Sequence, residues 1–164
     1  MHRPLTAALL VVLATSPLVA CDKETKATVN KALGRYRAYD AEADGKQQIA
    51  DAVAKAKASN KRVLLQFGGN WCVFCKALDE LIEGDATLKA LHERYIAIHV
   101  DAGSNPALND VYGKPYDLGF PVLLVLDGDG KLLHTQASTA FQLPTAMGHD
   151  QAGVAAFLKQ WAAP

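Results

Sequence analysis

Cysteine is scarce in this chain of 164 residues: only Cys21, Cys72 and Cys75 are present, too few to staple a small domain, so a hydrophobic core has to supply most of the stability. Excess charge is absent as well. Seventeen basic residues balance seventeen acidic ones, so composition advertises neither a basic nucleic-acid surface nor an acidic tail. No internal repeat is visible, and the one long uncharged stretch is broken by Pro4, Ser16 and Pro17. It is a poor match to a spanning helix, which needs ~20 apolar residues. What remains is 50% hydrophobic and 21% charged, which excludes a disordered chain and fits one domain with a short appendage.

The appendage is N-terminal. Met1, His2 and Arg3 give a short positive start, and Pro4 to Ala20 carries no charged side chain around the apolar centre Leu9 to Leu13. This reads as a secretory signal over residues 1–20, with a permanent membrane anchor as the other reading. It ends in Leu18-Val19-Ala20-Cys21, which resembles the lipobox of bacterial lipoproteins. That resemblance implies diacylglycerol on Cys21 and leaves Cys72 and Cys75 as a pair. The alternative is an ordinary cleavage site and a soluble periplasmic product. Residues 21–39 then form a lipidated N-terminus and polar tether containing Lys23, Glu24, Lys26 and Lys31. Asp22 after the cysteine is similar to lipoproteins retained at the inner membrane.

The folded part is expected over residues 40–164. Ile49, Val53 and Ala56 share one face of a helix spanning Asp40 to Asn60. Arg62 to Phe67 reads as a buried strand that stops at Gly68-Gly69. A helix carrying Phe74, Leu78, Leu81 and Ile82 follows, with Gly84 as its stop and Asp85 as cap of a second helix. Tyr95 to Val100 is the next strand. Asn105-Pro106 signals a short helix capped by Asn105 and running to Tyr112. Phe120 to Leu126 and Lys131 to His134 form a hairpin around Asp127-Gly128-Asp129-Gly130. Val154, Phe157, Leu158 and Trp161 mark a C-terminal amphipathic helix whose Trp161 belongs to the core. The order predicts an α/β fold, a mixed central sheet of about four to five strands with helices on both faces.

The chemistry lies in Trp71-Cys72-Val73-Phe74-Cys75-Lys76. A C-x-x-C pair after a strand and a glycine turn puts Cys72 at a helix N-terminus and Cys75 one turn inside. Free backbone N–H groups and the helix dipole there lower the thiol pKa below its free value of ~8.5, which makes Cys72 the attacking sulfur and Cys75 the resolving one. Zinc is disfavoured because His92, His99, His134 and His149 are scattered singly. A Cu(I) metallochaperone or a non-catalytic adaptor is the alternative class, without a methionine or histidine cluster to support it.

With a strand ahead of W-C-x-x-C and Gly119-Phe120-Pro121 ahead of the penultimate strand, residues 45 to 162 resemble the thioredoxin superfamily. The resemblance implies a thioredoxin-like fold, a redox-active disulfide between Cys72 and Cys75, a cis bond at Pro121 lying against it, and no bound cofactor or metal. It also implies substrate contacts by Trp71 and, through a groove bordered by Phe120, by extended protein disulfides or thiols. In strongly oxidising relatives a histidine stands between the cysteines; Val73 and Phe74 offer no donor, which argues for a reductase nearer ~−270 mV than ~−120 mV. The string Trp-Cys-Val-x-Cys-Lys is similar to the C-terminal domain of the membrane electron transporter DsbD, so the implied donor is such a membrane protein. The chain departs from the family pattern at two points. A buried aspartate is replaced by Gln66, and its lysine companion falls at Ala97, so deprotonation of Cys75 needs water or another group.

Overall fold

The computed structural model describes residues 36–144 and 146–164. The expected signal segment, Cys21 and the tether up to residue 35 lie outside the described residues. Four strands form one sheet in the order β2-β1-β3-β4: β1 (Arg62–Gly68), β2 (Tyr95–Asp101), β3 (Val122–Leu126) and β4 (Leu132–Ala137). β1 runs parallel to β2 with Gln66 opposite His99, and antiparallel to β3 with Gln66 opposite Leu123. β3 and β4 close the antiparallel side.

The parallel pair needs a crossover, and two helices supply it: α2 (Val73–Gly84) and α3 (Ala86–His92). They are separate because Asp85 adopts an extended conformation, and its carboxylate accepts from the Leu88 N–H at 2.8 Å. α1 (Gly45–Ser59) precedes the sheet, α4 (Ala107–Val111) follows β2, and α5 (Gln151–Trp161) ends the fold.

Alternation along the strands divides the core into two layers. Val63, Leu65, Phe67, Val122, Leu124 and Leu126 face α1 and α4, where they meet Ile49, Ala52, Ala56 and Leu108. Leu64, Leu123 and Val125 face α2, α3 and α5, where they meet Leu78, Ile82, Leu88, Val154, Phe157 and Leu158. Full burial of each large apolar side chain contributes ~1.5–3 kcal/mol, so the helices are held to the sheet from both sides.

Several expected details shift. The first helix starts at Gly45 rather than Asp40, because Asp44 caps it by accepting from the Lys46 and Gln47 N–H groups. Asn105 does not cap its own helix with its side chain; its Oδ1 accepts from the Gly45 N–H at 2.8 Å and so caps the neighbouring one. β3 begins only at Val122 and β4 runs on to Ala137. Trp161 is half-buried, stacked on His134 with ring centroids 4.4 Å apart, rather than sunk in the core. Tyr36 and Tyr39, expected within the tether, pack onto the domain, and Tyr39 is only 3% exposed.

Candidate active site

β1 delivers the chain to Gly68-Gly69, a turn closes with the Cys72 N–H donating to the Gly69 carbonyl, and α2 starts at Val73. Cys72 is therefore the N-cap. Its Sγ accepts from the Cys75 N–H at 3.1 Å, the place where an N-cap oxygen would accept. Cys75 sits one turn inside, and the two are joined as a disulfide with Cα atoms 5.2 Å apart. Access is unequal but small for both: Cys72 keeps 7% of its surface and Cys75 none. The expected exposed sulfur is thus a narrowly accessible one, and an incoming thiol reaches Cys72 alone. On reduction, the same N–H and the positive end of the helix favour a thiolate at Cys72.

The apolar surroundings come from three segments. Trp71 is 61% exposed and stands edge-on to Phe120 at 5.5 Å, and Phe120 in turn leans on Tyr116 at 5.4 Å. Phe120 also packs against the cysteine pair and Tyr39. The Phe120–Pro121 bond is cis, as the resemblance implied, and the Pro121 carbonyl accepts from the Ser138 N–H. Trp71, Phe120 and Cys72 thus share one surface. Val73 projects into solvent, while Phe74 is held from behind by the His149 Nε2–H, which donates to its carbonyl at 3.0 Å.

Beneath the disulfide lies a polar cluster that the sequence reading did not foresee. Gln66 Nε2 donates to Tyr39 Oη at 2.8 Å and to Asp79 Oδ1 at 3.1 Å. Asp79 also accepts from the Tyr36 hydroxyl at 2.5 Å and pairs with His99 Nε2 at 3.1 Å. Burial alone would push the Asp79 carboxyl up; the hydrogen bond and charge of His99, with the bonds from Tyr36 and Gln66, outweigh it and hold the carboxyl below the usual range. Burial, helped by the nearby Asp79 carboxylate, drives the Tyr36 and Tyr39 phenols far up, so both stay protonated. Burial and then the neighbouring His99 push His92 down.

One signal in the sequence pointed towards this cluster, and the strand register supplies the rest. Asp79 follows Cys75 by four residues and so shares its helix face, an acid on a face otherwise formed by Cys75, Leu78 and Ile82. His99 is the register partner of Gln66 across the parallel pair. Ala97, where the lysine of the family pattern falls, packs instead among core side chains on the α2, α3 and α5 layer.

Comparison with known proteins agrees with this geometry. The thioredoxin-like family pattern matches residues 44–128. The chain is 32% identical over 97 residues to the thiol:disulfide interchange protein DsbD of Actinobacillus pleuropneumoniae, covering 58% of this chain and 17% of that protein. It therefore spans about a sixth of the length of this curated relative. A disulphide isomerase from Xylella fastidiosa Temecula1 superposes with TM-score 0.64 at 32% identity, covering 74% of this chain and 94% of that one. The oxidised C-terminal domain of Neisseria meningitidis DsbD shares the fold, with TM-score 0.53 at 20% identity over 73% of this chain and 97% of that domain. With a disulfide at the N-cap of α2, a cis Phe120–Pro121 bond and these likenesses together, the chain belongs to the thioredoxin-like family of thiol:disulfide oxidoreductases.

Proposed function

We propose that the protein is an exported, membrane-tethered disulfide reductase in which Cys72 is the nucleophile and Cys75 the resolving thiol. The observation that carries this reading is the unequal access of two bonded sulfurs at one helix terminus. The Cys72 thiolate attacks a partner disulfide, forms a mixed disulfide and expels one partner thiolate. Cys75 then attacks Cys72, restoring the internal disulfide and releasing the second partner thiolate. Trp71, Phe120 and Pro121 form the surface against which an extended partner segment lies. The apolar Val73 and Phe74 between the cysteines favour the reducing direction, since neither side chain donates to the thiolate.

Cys21 carries the lipid in this reading, which puts the domain on the periplasmic side of a bacterial membrane, the inner one favoured by Asp22. Electrons come from a membrane protein of the DsbD kind, and protein disulfides receive them. In the test, Cys75→Ser should accumulate mixed disulfides that mass spectrometry maps to Cys72, while Cys72→Ser accumulates none. Absence of adducts in Cys75→Ser together with absence of insulin-disulfide reduction by the wild type would sink the reading.

A further inference from the structure

We propose that the Tyr39 hydroxyl donates a hydrogen bond to the Cys75 sulfur whenever that sulfur carries negative charge, so that a residue ahead of the family-matched region takes part in the exchange. The inference rests on the reading that Cys72 and Cys75 exchange disulfides.

Tyr39 lies in one apolar cluster with both cysteines. A methyl group placed on Gly68 would sit 2.5 Å from Cys75 Sγ and 2.6 Å from Tyr39 Oη, so the sulfur and the hydroxyl border the same small space, kept open by glycine. Gln66 Nε2 donates into Tyr39 Oη, which fills an acceptor position and leaves the O–H to give. Tyr36 cannot take over this task at the sulfur, because its own hydroxyl is spent on Asp79. The strong upward push of burial on the Tyr39 phenol keeps it a donor rather than a base.

The position of Tyr39 is fixed from the turn that leads into Cys72. Its N–H donates to Asn70 Oδ1 at 3.1 Å, and Asn70 Nδ2 donates back to its carbonyl at 2.7 Å. Its ring stands edge-on to His99 at 5.0 Å. Tyr39 precedes residues 44–128, the stretch that matches the family. The chain thus adds this group to the site from its own N-terminal segment.

The need arises in the covalent step. An incoming reductant thiolate attacks Cys72 Sγ; a bond forms between those two sulfurs, the Cys72–Cys75 bond breaks, and Cys75 leaves with the electron pair. Among the described residues no hydrogen bond reaches the fully buried Cys75 sulfur, and a buried charge without a partner is costly. Tyr39 O–H supplies that partner without a proton changing hands.

The experiment follows reduction of the oxidised full chain by dithiothreitol in stopped flow, together with the Cys75 pKa in a Cys72→Ala background. Tyr39→Phe keeps the ring and removes the donor, and is expected to slow reduction about tenfold and raise the Cys75 pKa by about one unit. Asp79, His99, Asp101 and Tyr36, the titratable groups around Tyr39 and the thiol, are unchanged in that variant. Tyr36→Phe removes a donor to Asp79 but none at the sulfur, and should slow reduction less than Tyr39→Phe does. Incorporating 3-fluorotyrosine at position 39, a more acidic phenol of the same shape, should speed reduction and lower the Cys75 pKa. Wild-type rate and pKa in Tyr39→Phe, equal slowing in Tyr36→Phe, or no gain with fluorotyrosine would each overturn the assignment. A wild type that dithiothreitol cannot reduce would instead overturn the exchange reading beneath it.

Discussion

Replacing Asp79 with asparagine tests the polar floor of the site directly. The carboxylate accepts from Tyr36 and Gln66 and pairs with His99, at 2.5, 3.1 and 3.1 Å, with its side chain 18% exposed. Asparagine keeps the shape but turns one acceptor into a donor, which then faces a donor already in place. Hydrogen bonds to a charged group are worth ~1.5–3 kcal/mol each and partial solvation returns some of the loss, so Asp79→Asn should cost about 2–4 kcal/mol at pH 7.

The sign of the pH dependence follows from the carboxyl being held below its usual value. Its stabilisation is fully present above the unfolded-state pKa of ~3.9 and is lost as pH falls through the lower folded-state value. The gap between wild type and Asp79→Asn should therefore narrow in acid. Guanidinium unfolding of the oxidised proteins at pH 7 and at successive acidic values measures it. A gap under ~0.5 kcal/mol at pH 7, or one that stays constant on acidification, would refute the account of Asp79 as the ionised acceptor of this cluster.

Trp71→Ala should leave stability within ~1 kcal/mol, because the ring is mostly in solvent, yet raise KM for a peptide disulfide several-fold while dithiothreitol reduction is unchanged; an unaltered KM would remove Trp71 from the partner surface. Cys21→Ser should abolish lipid labelling and membrane retention together, and a serine variant that still takes up labelled lipid would exclude Cys21 as the attachment point.

Local rules made much of this molecule readable. The C-x-x-C pair declares itself because both cysteines, the glycine turn before them and the helix after them lie within about ten residues, the range over which capping and periodicity act. Asp85 was legible as a cap for the same reason. Asn105 was not, because its side chain serves Gly45, 60 positions away in sequence, and no neighbouring residue records that choice. The Asp79 cluster failed on similar grounds. Gln66, Asp79 and His99 come from three different elements, and only the parallel pairing of β1 with β2 brings them together. Tyr39 was hidden by its company: the polar residues before it signal a tether, and the contact that fixes it is made by a side chain in the turn after β1.

The two-point clasp between Asn70 and Tyr39 has a geometric outcome for a chain held by its N-terminus. The polypeptide joins the globule at the same end as the reactive sulfurs, so any leash pulling on it draws that end, rather than the far side bearing the Asp127 hairpin, towards the point of attachment. Under the proposed membrane attachment, a redox partner in the same membrane would then meet Cys72 at close range.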